Sequence, residues 1–223
     1  MICTLQSGGA IVGQLIDGAT IDAEYEVPII EVVSAQIEPI FEVGEVPNVH
    51  PTAFVHPTAK LGLGTEVCEG AYVAARVIVG AVSNIGPNVR LLKEVVVGAG
   101  STIYEGARLL GGVIGPLSTV GAGSKLIKTV MGVNSHIGTE CDIRRTTIGD
   151  DTNVGDNVTT DGVTIKAEAE IGDGATLMSG SIVEYGSEVY AGLTVPKDYV
   201  IPECGLFCLV NGQIWQPKRK RPL

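Results

Sequence analysis

The sequence predicts an all-β solenoid: a parallel β-helix of triangular cross-section, about nine coils long, with small β caps at both ends. Three observations carry this. An aliphatic residue returns every six positions from Val49 to Ile201. Glycine and small residues recur at fixed offsets inside that frame. Aromatics make up only 4% of a chain that is 45% hydrophobic and holds 30 glycines, a mixture suited to stacked aliphatic layers and many tight turns.

The frame starts at Val49 and steps through Val55, Leu61, Val67, Val73, Val79, Ile85, Leu91, Val97 and Ile103 to Leu109. It drops one residue to resume at Ile114, and again at Met131, Ile148 and Ile165, before running by sixes to Ile201. Of 27 such positions, 25 are Leu, Ile or Val, the others being Met131 and Thr160. Glycine often follows the aliphatic residue, as at Gly80, Gly138 and Gly155, and is expected to supply backbone freedom at the turn. A small residue sits four places after it, as at Ala71, Ser101, Ser118 and Cys141. One large and one small inward residue per short strand lets the chain turn a corner every six residues.

Three such hexads make a coil, and nine coils rise roughly 43 Å at about 4.8 Å per strand spacing. The four shortened steps begin at Leu109, Leu126, Ile143 and Thr160, and all fall at one corner of the triangle. That corner is expected to be tightened over four stacked coils.

The chain divides into residues 1–42, an N-terminal β cap; 43–201, the repeat; and 202–223, a C-terminal cap with a basic tail. Ala10–Ile16 and Val27–Ile40 read as capping strands, because an open solenoid end exposes core and unpaired strand edges. Phe207 and Trp215 are expected to close the other end. The tail Pro217-Lys218-Arg219-Lys220-Arg221-Pro222 reads as solvated.

A net charge of −10 argues against a nucleic-acid partner. No run of 18 apolar residues suggests a membrane span. The first residues lack the basic and apolar regions of a signal peptide. Five scattered cysteines suit a reducing compartment, so a cytoplasmic location is expected.

The hexads Ile137-Gly138-Thr139-Glu140-Cys141-Asp142 and Ile171-Gly172-Asp173-Gly174-Ala175-Thr176 resemble those of the hexapeptide-repeat transferases. The resemblance covers about 150 residues and implies a left-handed parallel β-helix. The stretch from Leu126 through Met131, His136 and Glu140 to Ile148-Gly149-Asp150 is most similar to the acetyltransferase solenoids of sugar-phosphate nucleotidyltransferases. That likeness implies a homotrimer, with acetyl-CoA or acyl-CoA and a sugar or nucleotide sugar held between chains. It puts Thr139 where those enzymes carry their general-base histidine.

The candidate catalytic residues are therefore His136, Thr139 and Glu140. Of the three histidines, His50, His56 and His136, only His136 lies in the central coils. It is expected to stack outward between Thr119 and Asn153, as a base or as an interface residue. No metal site is expected. The His-x4-His pair of the γ-carbonic anhydrases, which share the fold, is missing, and Cys204 with Cys208 falls short of four ligands. Lys128 and Arg145 share the tightened corner in consecutive coils, where a phosphate-bearing ligand or a carboxylate would relieve their repulsion. Two functions stay open: acyl- or acetyltransfer to a sugar or nucleotide sugar, and a non-catalytic oligomerisation, regulatory or assembly module.

Overall fold

The structure is a computed structural model and describes residues 4–5, 11–12, 46–210 and 213–215. Within 46–210 the chain is a parallel β solenoid without helix. Short strands such as Thr102–Ile103, Thr119–Val120 and His136–Ile137 stack in register, each donating to and accepting from the equivalent strands one coil before and after. The stacking settles the backbone polar groups that so short a strand could not satisfy alone.

The inward frame is the one the sequence predicts. Every frame position from Val67 to Ile201 is buried, Thr160 included. In the first coil Val55 and Leu61 are only partly buried, and Val49, expected inward, is exposed because no described coil precedes it. The frame also runs one step past Ile201. Phe207 pairs with Val189, is 1% exposed, and meets Tyr199 edge-on with ring centroids 5.5 Å apart. The Leu206–Val210 strand then folds back antiparallel onto Gln213–Trp215. Thr4–Leu5 pairs antiparallel with Ile11–Val12. The remainder of the expected N-terminal cap, and the basic tail, lie outside the described residues.

The tightened corner is present. Pairing offsets along one face are 18 residues from Arg90 to Arg108, then 17 from Arg108 to Lys125, Lys125 to Asp142, Asp142 to Thr159 and Thr159 to Thr176. The cause is local. The Arg90–Val97 strand turns the corner with two left-handed residues, Lys93 and Glu94. The next four coils turn it with Gly111–Gly112 or with single left-handed residues at Lys128, Arg145 and Gly162.

One expectation is corrected. The glycine after the aliphatic residue does not serve the turn's dihedral freedom, since Gly80, Gly138 and Gly155 do not adopt positive φ. Positive φ falls two residues later, often on Asn, Asp or Glu, as at Asn134, Glu140 and Asp151. The glycine is required by close approach instead. A Cβ on Gly138 would lie 2.5 Å from Asp156 Oδ1 and 2.6 Å from the Gly155 carbonyl carbon of the following coil.

The small inward residues do more than fill corners. Ser101, Ser118 and Ser135 each donate a hydroxyl to a glycine carbonyl of the following coil, Gly115, Gly132 and Gly149, at 2.9, 2.8 and 2.8 Å. Each also accepts the backbone N–H of its counterpart below: Ser118, Ser135 and Thr152. The result is a continuous hydroxyl column inside an otherwise aliphatic core, its serines buried while the accepting Gly132 and Gly149 carbonyls belong to half-buried residues.

Candidate functional site

His136 lies on an outward face of the sixth coil. It pairs in register with Thr119 above and Asn153 below, as its place in the frame requires. Its imidazole is exposed, and Nδ1 shares a short hydrogen bond with the Thr119 hydroxyl. Two residues on, the chain enters the corner that holds Thr139 and Glu140.

Asp156, one coil below, is bonded to that corner. Its Oδ1 accepts the Thr139 backbone N–H at 2.6 Å. The Thr139 N–H and hydroxyl, with a smaller electrostatic contribution from His136, hold the Asp156 carboxyl below the usual carboxylate range. Asp156 itself donates its N–H to Asp173 Oδ1 at 2.9 Å, so two successive turns are closed by the carboxylate of the next. Glu140 adopts φ 53° and lays its carboxylate across Gly123 of the preceding coil. Thr139 and Asp156 thus meet at the corner that follows the face carrying His136 and Thr119, and the Glu140 carboxylate lies against Gly123 in that corner.

Thr119 stands beside His136 as the sequence predicts, and Asp156 is the member that sequence reasoning passed over. Acids at that corner, at Glu69, Glu105, Asp156 and Asp173, look alike in the repeat. The available signal was the glycine one coil earlier. Gly138 and Gly155 leave room for the carboxylates of Asp156 and Asp173, and that close packing separates a structural acid from a solvated one.

Lys128 and Arg145 occupy equivalent points of successive coils, both with positive φ, and the Arg145 N–H donates to the Ile127 carbonyl at 2.8 Å. Their charges are answered differently. Arg145 reaches down to Asp161 in a bidentate pair, Nε to Oδ1 at 2.9 Å and Nη2 to Oδ2 at 2.5 Å. Beside it Arg144 grips Asp142 in the same way, at 2.7 and 2.5 Å. Each pairing holds its carboxyl below the usual range. The counter-charge expected from a ligand is therefore supplied to Arg145 within the chain, while Lys128 has no ion pair among the described residues.

The remaining histidines lie in the first coil, in two equal turns. The Thr52 N–H donates to His50 Nδ1 at 3.3 Å and the Thr58 N–H to His56 Nδ1 at 3.2 Å. An open, shallow depression beside them is lined in part by His50, Glu66, Cys68 and Glu69. His50 and His56 act as turn acceptors, far along the solenoid from His136. No helix among the described residues is long and apolar enough to cross a membrane.

With this geometry in view, the similarities to known proteins can be placed. No curated protein sequence matches the chain. Among solved structures it is similar to the UDP-N-acetylglucosamine acyltransferase of Francisella novicida, with TM-score 0.52 and 20% identity over 76% of this chain and 69% of that one. It is also similar to the Campylobacter jejuni UDP-N-acetylglucosamine acyltransferase, with TM-score 0.49 and 17% identity over 75% and 74%. The acetyltransferase domain of PglB from Neisseria gonorrhoeae, in complex with acetyl coenzyme A, aligns with TM-score 0.45 and 24% identity over 60% of each chain. The first of these is a likeness of fold. Residues 73–174 match the family model of the GMPPB C-terminal domain, and they contain the coils that carry His136, Lys128 and Arg145. The described solenoid thus shares the fold of the Francisella acyltransferase, and its central coils, residues 73–174, match the GMPPB C-terminal domain model.

Proposed function

We propose that the protein is an acyl- or acetyltransferase of the hexapeptide-repeat superfamily, acting on a sugar or nucleotide sugar, with acetyl-CoA or acyl-CoA as donor. The observation that carries the reading is the bond of His136 to Thr119 on an outward face, beside the corner where the Thr139 N–H holds the Asp156 carboxylate. In this scheme His136 donates its Nδ1–H to Thr119. The Nε2 lone pair then takes the proton of a substrate hydroxyl or amine, and the anionic Asp156 favours the imidazolium that forms. Thr139 positions Asp156 through its N–H, and Glu140 flanks the acceptor. Lys128 contributes positive charge toward a phosphate-bearing ligand, with Arg145 beside it engaged by Asp161. The site is open on one side, so the second wall comes from a neighbouring copy in a homotrimer, working in the cytoplasm.

The fold of the Francisella enzyme, named for its action on UDP-N-acetylglucosamine, supports the substrate class. The test is turnover of acetyl-CoA with UDP-linked amino sugars. Replacing His136 with Ala should lower turnover about 10²-fold, the usual contribution of a positioned base. Unchanged turnover in that variant would remove the catalytic role.

A second reading is favoured by Thr139, which stands where related acetyltransferases carry histidine, and by the match to a C-terminal domain. It makes the solenoid a non-catalytic oligomerisation, regulatory or assembly module. A stable trimer in light scattering, with no thermal shift on adding acetyl-CoA, CoA or nucleotide sugars, would select it.

A further inference from the structure

The outer surface of the third to fifth coils departs from the rest of an acidic molecule. Arg90, Arg108 and Lys125 stack in register on one face and are exposed. None of them makes an ion pair among the described residues, in a chain of net charge −10. Two residues along each strand, roughly 7 Å away, Leu92, Leu110 and Ile127 form a second ladder in register. These three face outward, partly exposed, and stand apart from the apolar core cluster. Each stripe spans two strand spacings, about 9.6 Å.

The two ends of this surface are closed by ion pairs. Arg76 meets Glu94 at 2.6 Å on the side of the second coil. The Asp142–Arg144 and Arg145–Asp161 pairs lie on the side of the sixth and seventh. An outward aliphatic ladder beside a cationic one that forms no ion pair among the described residues, bounded by a polar rim in which Asp142 follows Lys125 in register, has the anatomy of a binding surface rather than of a solvated face.

We infer that this surface docks a partner protein through an amphipathic α-helix carrying an acidic stripe beside an aliphatic one. Seven helical residues, about two turns, advance about 10.5 Å, close to the length of both ladders. Carboxylates at i, i+4 and i+7 would face Arg90, Arg108 and Lys125, while the adjoining aliphatic stripe covers Leu92, Leu110 and Ile127. A second copy related by a two-fold axis is the poorer occupant, because it sets cation ladder against cation ladder. This inference is independent of any transferase activity and uses none of the residues assigned to it.

The test uses the full chain and a labelled helical peptide of about 18 residues, roughly five turns, with Glu on one stripe and Leu on the next. Binding is read by fluorescence anisotropy at low salt and at about 0.15 M. The expected result is saturable binding that weakens with salt. It should also fall at least about tenfold for an analogue with Gln in place of Glu and, with the labelled Glu peptide, for the Arg90→Glu/Arg108→Glu double variant. Leu110→Asp should lose binding while its circular dichroism stays that of the native chain. Absent binding, or equal binding by the Gln analogue or the double variant, overturns the inference. So does a wild-type oligomer that Leu110→Asp dissociates without peptide, which would assign the face to a second copy. Capture by anionic phospholipid vesicles in place of the peptide would assign it to lipid and overturn it equally.

Discussion

Arg145 and Asp161 sit in successive coils of the tightened corner and face each other through two parallel hydrogen bonds, so the corner carries its own counter-ion. Both side chains are largely exposed, and the pair is worth less than its geometry suggests. Its effect on acid stability has a definite sign. The Asp161 carboxyl lies below its ordinary value in the folded chain. Its contribution is therefore complete above the unfolded value, about pH 3.9, and is lost as pH falls through the lower folded one. Asp161→Asn should flatten the loss of stability below about pH 4 and change little at neutrality, as read by urea unfolding across pH. An equal acid loss in the variant would refute the pairing.

Gly138 leaves no room for a side chain, since Asp156 Oδ1 and the Gly155 backbone occupy the space. Ala at 138 must displace backbone in the following coil. Strain of this kind typically costs 1–3 kcal/mol, and thermal unfolding should register it. The Thr139–Asp156 bond should weaken with it. Gly192, with nothing within 4 Å of an added Cβ, has space but a positive φ, so Ala there should cost the smaller penalty of a strained turn.

Ser118, itself buried, accepts the buried Ser135 N–H and donates to the carbonyl of half-buried Gly132. Ser118→Ala strips both bonds and leaves two backbone groups without a partner. A loss of about 1–3 kcal/mol follows, measurable in a denaturant titration. Ala at an exposed turn position such as Thr139 should leave the hydroxyl column untouched and stability within about 0.5 kcal/mol.

Cys141 is 2% exposed, and burial raises its thiol pKa. The native protein should therefore resist alkylation at Cys141 at pH 8 while the half-buried Cys204 is modified. Mass spectrometry of digests resolves the two sites. Rapid labelling of Cys141 without denaturant would mean that the middle coils open.

The frame was legible because a solenoid writes its core as a period. Leu91, Leu109 and Leu126 announce the same inward position three times over, and the register losses announce the corner. Phe207 was harder to place, since an aromatic ring interrupts the aliphatic pattern while keeping its spacing. The candidate site was legible only in part. His136 fell where the frame put it, between Thr119 and Asn153. The bond of Thr139 to Asp156 depends on a side chain crossing from one coil to the next, and a linear pattern carries that only as a glycine standing 18 residues ahead of the acid. The Arg145–Asp161 pair was hidden for a similar reason. Residues 16 apart meet only once the coil length is known to be 17.

The tightened corner also bears on how such a chain can change its length. Where one coil places Lys93 and Glu94, the next places Gly111, and the ladders on both sides continue unbroken. The corner absorbs the loss of a residue without sliding any inward side chain to the outside. Elsewhere in a strand the same deletion would invert the faces of everything after it. Sequence length is thus nearly a neutral character at this point of the molecule, and an inserted peptide or label placed between Gly111 and Gly112 would leave the coils above and below in their present alignment.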